Sequence, residues 1–79
     1  MIQILNVLKP ILADIFAVEE EEISPATDFF NDLDGDELDM TEIFMTVEEE
    51  FDVFVDPEEG KKIVTVGDLI AYIEGHRND

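Results

Sequence analysis

The residues best placed to do chemistry lie in one run, Asp32-Leu33-Asp34-Gly35-Asp36-Glu37-Leu38-Asp39. Carboxylates this dense suggest cation binding, proton transfer or recognition of a basic surface. The register argues against a calcium loop. With Gly35 at loop position 6, position 1 falls on Phe30 and position 12 on Thr41, and neither supplies a carboxylate. No dedicated metal site is expected. Weak divalent binding by clustered acids, such as Glu48 with Asp52 or Asp32 with Asp36, is expected only as charge screening. Proton transfer lacks a partner. The chain has no cysteine, its one histidine is His76 near the end, and no serine–acid arrangement awaits that histidine. No catalytic residue is assigned. A basic surface is the chemistry left.

The overall charge supports this. Twenty-two Asp and Glu against four Lys and Arg give −18 over 79 residues. Such a chain repels itself, so salt or divalent cations should stabilise it. It has no basic patch to neutralise a phosphate backbone, which argues against nucleic acid. An anionic membrane is disfavoured for the same reason. Lys61-Lys62 is too short for such a patch and more simply offsets nearby acids. The absence of cysteine agrees with a reducing compartment. Ile2 to Asn6 has no basic lead, and Lys9-Pro10 interrupts the apolar run, so neither a signal peptide nor a membrane span is read. The expectation is a cytoplasmic monomer, one domain over residues 1–79.

Helices must position the acidic run. Leu5, Leu8, Leu12 and Ile15 recur at intervals of three and four, one face of a helix over about residues 2–17. Pro10 lies inside it and predicts a kinked or frayed first half. Glu19–Glu22 suits a solvated stretch after a helix ending by about Val18. Ser24-Pro25-Ala26-Thr27 is turn chemistry. The long connection that follows needs anchors from among Ile23, Phe29, Phe30 and Leu33. Asp36 caps a second helix, with Glu37, Asp39 and Glu42 placing negative charge at its start. Ile43, Val47 and Phe51 form its apolar stripe; Leu38, Phe44 and Met45 fall partly outside it. Asp56-Pro57 opens a short third helix that Gly60 keeps short. Thr65 with Asp68 opens a last helix facing Val66, Leu69, Ile70 and Ile73 inward, ended by Gly75 before a polar tail from His76 to Asp79. No segment alternates as a strand. The fold class is all-α: three main helices, one short helix and a long first loop.

Asp36-Glu37-Leu38-Asp39, with Met45, Glu48-Glu49-Glu50-Phe51, Thr65-Val66 and Gly75-His76, resembles the acyl carrier protein family over about Leu5 to His76. The resemblance implies a four-helix bundle that is not an enzyme. In that family a serine in the motif Asp-Ser-Leu carries phosphopantetheine. The second helix docks on basic surfaces of acyl-transfer and biosynthetic enzymes, of fatty-acid or polyketide type. Carried over, the partner-binding positions are Asp36, Leu38, Asp39, Glu42, Met45, Glu48 and Glu49. The attachment position is Glu37, which lacks a hydroxyl, so no phosphopantetheine is expected there. Asp34-Gly35 stands where the family has glycine and a small residue. Other hydroxyls do not rescue the site, since a transferase would have to shift by roughly 5–6 Å to use Thr41, one turn along. Three readings follow: an interaction protein that cannot be loaded at Glu37; a true carrier whose serine is replaced or which is loaded elsewhere; or a regulatory or structural protein that has left acyl chemistry. In the family the bundle opens to take an acyl chain. Without a tethered cargo a more filled core is expected here, with Phe44 or Phe54 closing it.

Overall fold

The structure is a computed structural model that describes residues 3–76. Its elements run α1 (Ile4–Phe16), a 3-10 turn (Glu20–Glu22), α2 (Glu37–Phe51), α3 (Pro57–Gly60) and α4 (Val66–His76). There is no strand among the described residues, as the sequence implied.

Helix α1 forms over its whole length. Gln3 caps it, its carbonyl accepting from Asn6 N and Val7 N. Pro10 is exposed inside the helix. The expected fraying is therefore not found: Ile4, Leu8 and Leu12 are buried on the opposite face, and packing of that stripe offsets the hydrogen bond that proline removes. Leu5 and Ile15 pack at its edges. The helix stops at Phe16 because Ala17 turns left-handed, with φ 56°. Glu19 to Glu22 stays exposed, and its 3-10 turn is closed by Glu19 N donating to the Glu22 carboxylate at 2.9 Å.

The core is built from Leu8 and Leu12 of α1, Met40, Ile43 and Val47 of α2, and Val66, Leu69 and Ile73 of α4. Ile23, Phe29, Val53, Val55 and Ile63 of the connections complete it. Helix α1 packs against both α2 and α4. Of the four candidate anchors in the long connection, Ile23 and Phe29 are buried, Leu33 is half-buried, and Phe30 remains 41% exposed. The two adjacent aromatics diverge because the chain turns here, with Asp32 N and Leu33 N donating to Asp28 O at 3.0 and 3.2 Å.

The connection is also tied down by backbone bonds that hydrophobic pattern does not reveal. Phe29 N donates to Val64 O at 2.9 Å, Val66 N to Thr27 O at 2.9 Å, and Gly67 N to Pro25 O at 2.8 Å. Asp28 and Thr65 form an isolated antiparallel bridge. Thr27, the one buried polar residue among the described residues, spends its hydroxyl on Glu22 O and on Ser24 N. A connection of this length thus has its polar backbone paired as well as its apolar side chains buried.

Asp56 caps α3, accepting from Glu58 N at 2.9 Å, with Pro57 in the first turn. Thr65 and Asp68 cap α4 reciprocally: Asp68 N donates to Thr65 Oγ1 and Thr65 N to the Asp68 carboxylate, both at 3.1 Å. Gly75 does not end α4. The helix continues to His76, whose ring stacks on Tyr72 at 4.0 Å between centroids and whose Nδ1 lies 2.8 Å from Tyr72 O. The rest of the expected tail, Arg77 to Asp79, lies outside the described residues.

Candidate functional site

The head of α2 is positioned from behind by Gly35. Its N–H donates to Phe29 O at 2.8 Å, which fastens the end of the connection to a buried anchor. A Cβ at Gly35 would stand 2.8 Å from Phe29 O and 2.9 Å from Phe16 Cε1. Glycine is required there for close approach. The left-handed residue is its neighbour Asp34, at φ 57°, a conformation that aspartate tolerates better than most. The chain then enters α2 through a full capping box. Asp39 N donates to Asp36 Oδ1 at 3.0 Å, and Asp36 N to Asp39 Oδ2 at 3.1 Å. The cap at Asp36 was legible in the sequence; the reciprocal bond that Asp39 accepts was missed, although the three-residue spacing of the two acids was its signal.

Glu37 is the first residue of α2 and is exposed. It stands in the first turn, where the helix dipole favours a negative charge. Among the described residues the ion pairs are Lys61 with Glu58 and Lys62 with Glu59, so Glu37 presents its charge to solvent. Thr41 Oγ1, one turn along, donates to Glu37 O at 2.9 Å. Helix α2 has no serine; the chain's one serine is Ser24, in the turn before the connection, with its Oγ 3.3 Å from Thr27 Oγ1.

Beyond its buried face, α2 shows two stripes. Leu38, Glu42, Met45 and Glu49 recur at helical spacing along the outer one. Leu38 is 80% exposed and Met45 62% exposed, so two large apolar side chains stand among acids in water. Of the seven expected partner-binding residues, Asp36, Leu38, Glu42, Met45, Glu48 and Glu49 are exposed. Asp39 is half-buried and spends its carboxylate on the cap.

The second stripe, Glu37, Thr41, Phe44 and Glu48, borders a cleft of about 630 Å³ between α2 and the segment from Phe54 to Lys61. Met40, Phe44, Val55 and Gly60 belong to its wall, while Phe30 and Phe54 stand at its edge, both exposed. The expectation that Phe44 or Phe54 closes this space is not met. Phe54 points outward, 64% exposed, because Val53 and Val55 on either side take the inward positions. Phe44 lies against Gly60, where a Cβ would approach its Cε2 to 2.9 Å. The segment is held by Tyr72, whose hydroxyl donates to Phe54 O at 3.1 Å and accepts from Asp56 N at 3.3 Å. Phe30, Val55, Pro57 and Lys61 were not singled out as site residues. No periodic signal marks them, since they come from a connection and a one-turn helix.

Two aspartates brace the site from a distance. Asp28 accepts from Phe30 N and Asn31 N, both at 2.8 Å, and Asp68 accepts from Val64 N and Thr65 N. The N–H groups hold each carboxyl below the ordinary aspartate value of 3.8, led by Asn31 for Asp28 and by Val64 for Asp68. Among the described residues no group of three or more acidic or histidine side chains is arranged to hold a metal ion.

A family model described as "Phosphopantetheine attachment site" matches residues 6–73. The acyl carrier protein of Lactobacillus acidophilus is 40% identical over 75 residues, covering 95% of this chain and 94% of that protein. The chain belongs to this carrier family. A solved acyl carrier protein from Enterococcus faecalis superposes with a TM-score of 0.79 at 26% identity, covering 91% of each chain. The fold is thus the acyl carrier fold, and its members are carriers, not enzymes. Glu37, the first residue of α2, offers a carboxylate and no hydroxyl. A phosphodiester needs a hydroxyl oxygen. A carboxylate joined to phosphate gives a mixed anhydride, which water cleaves readily.

Proposed function

We propose that this chain is a carrier-fold interaction domain whose attachment position, Glu37, takes no phosphopantetheine. It presents the acidic outer stripe of α2 to basic surfaces of acyl-transfer or biosynthetic enzymes. The observation that carries the reading is the exposed carboxylate of Glu37 on an intact helix head, with Leu38 and Met45 standing free beside Glu42 and Glu49. A decayed site would have lost its cap or its close-packed glycine. Here Asp36, Asp39 and Gly35 hold the geometry. Glu37 keeps a negative charge where the family has a phosphodiester, and a carboxylate facing Arg or Lys makes a charge-assisted hydrogen bond of the same kind. The domain acts as a cytoplasmic monomer. Divalent cations bind it weakly, as screening.

Intact mass after incubation with coenzyme A and a broad phosphopantetheinyl transferase tests this, with Glu37→Ser run in parallel. The expected result is an arm on the serine variant alone. An arm on the unsubstituted chain overturns the reading. An arm on neither favours a domain that has left carrier chemistry. Thr41 carries the second reading, because it lines the same cleft one turn from Glu37, its hydroxyl donating to Glu37 O. Any arm on the unsubstituted chain that Thr41→Val removes would locate it there.

A further inference from the structure

The cleft beside Glu37 combines two features that point to one class of occupant. Its wall is apolar, and its volume of about 630 Å³ lies in the range of small-molecule sites. Its charged neighbours on α2 are acids, Glu37 and Glu48, both exposed. Lys61, the one cation on the lining, has Glu58 3.5 Å away. A free fatty acid would bring its carboxylate toward two others in a chain of charge −18. An amphiphile with a cationic head meets the opposite situation. Its tail is removed from water along Met40, Phe44 and Val55, and its head lies near Glu37, in a cleft whose lining also includes the exposed rings of Phe30 and Phe54. Aromatic faces attract quaternary ammonium groups.

We propose that this cleft binds an untethered cationic amphiphile, an alkyl tail with an ammonium head, without any covalent bond, and that Glu37 selects the head by charge. The inference stands on the cleft and on the charge of Glu37, and not on the partner surface, so the two readings fail separately.

The test uses the full chain and three probes of equal tail, each below its micelle concentration: dodecyltrimethylammonium, dodecyl dimethylamine oxide and dodecyl sulfate. Calorimetry at moderate salt gives affinity, and amide chemical shifts give location. The expected result is saturable binding of one trimethylammonium probe per chain, tighter than either of the others, with shifts centred on Met40, Phe44 and Val55. Glu37→Gln should weaken that probe by about three- to five-fold, the scale of an exposed ion pair, and leave the amine oxide unchanged. Glu50→Gln removes the same charge from an exposed position outside the cleft and should leave all three unchanged. The proposal is overturned if dodecyl sulfate binds as tightly. It is also overturned if Glu50→Gln weakens binding as much as Glu37→Gln, which would make the effect one of net charge alone, or if no probe saturates.

Discussion

Replacing Gly35 by alanine sets two effects of opposite sign against each other. The φ of Gly35 is not positive, so alanine can adopt its backbone conformation. A smaller unfolded ensemble would then stabilise the variant by about 0.4–1 kcal/mol. Against this, the new methyl lands 2.8 Å from Phe29 O and 2.9 Å from Phe16 Cε1. Phe29 is fully buried and its ring lies 6.3 Å from that of Phe16, so neither neighbour yields without moving the other. Overpacking of this kind costs about 1–3 kcal/mol. Losing the Gly35 N–H bond to Phe29 O costs about 1 kcal/mol more. The net expectation is destabilisation by about 1–3.5 kcal/mol, read as a fall of about 4–8 °C in Tm per kcal/mol for a chain of this size. Thermal unfolding followed by circular dichroism measures it, and the amide shifts of Asp36 and Asp39 should move with it. A variant as stable as the parent, or more stable, would show that the approach of Gly35 to Phe29 does not hold the head of α2.

Asp36→Ala should cost about 1 kcal/mol, since it removes one half of the capping box and orphans the other, and urea unfolding would show it. Ala17→Gly should stabilise by about 0.5–1 kcal/mol, because alanine there is left-handed at φ 56°; an unchanged Tm would contradict that geometry. Acid stability should pass through a maximum. As the pH falls from 7, protonation of many carboxylates relieves repulsion in a chain of charge −18, so Tm rises at first. Asp28 and Asp68 are held below 3.8 in the fold, so their contribution is present above that value and is lost as the pH falls through their folded values. Tm should therefore turn downward below 3.8, and Asp28→Asn with Asp68→Asn should flatten that descent; a steady fall from pH 7 would contradict both terms.

The helices were legible because local signals agreed with one another. Asp36 and Asp56-Pro57 announced helix starts that the structure keeps, and Leu8, Leu12, Ile43, Val47, Leu69 and Ile73 fell on the buried faces that their spacing implied. Where tertiary packing overrides local preference, the reading failed. Pro10 was given too much weight because the stripe opposite it is buried, and Gly75 because Tyr72 and His76 stack across it. The fastening of Asp28 to Thr65 joins residues far apart in the chain, and no periodicity records it. The cleft was the larger miss. The absence of a tethered cargo suggested a filled core, but Phe30 and Phe54 lie outside it, each next to a residue that takes the inward place.

One measurement bears most directly on Glu37. The unsubstituted chain and its Glu37→Ser variant are mixed with coenzyme A and a phosphopantetheinyl transferase at low salt, and both intact masses are followed with time. The serine variant should gain the arm while the unsubstituted chain keeps its mass and slows that gain, less so as salt is raised, because it occupies the same basic surface of the enzyme. An arm on the unsubstituted chain would contradict the central claim.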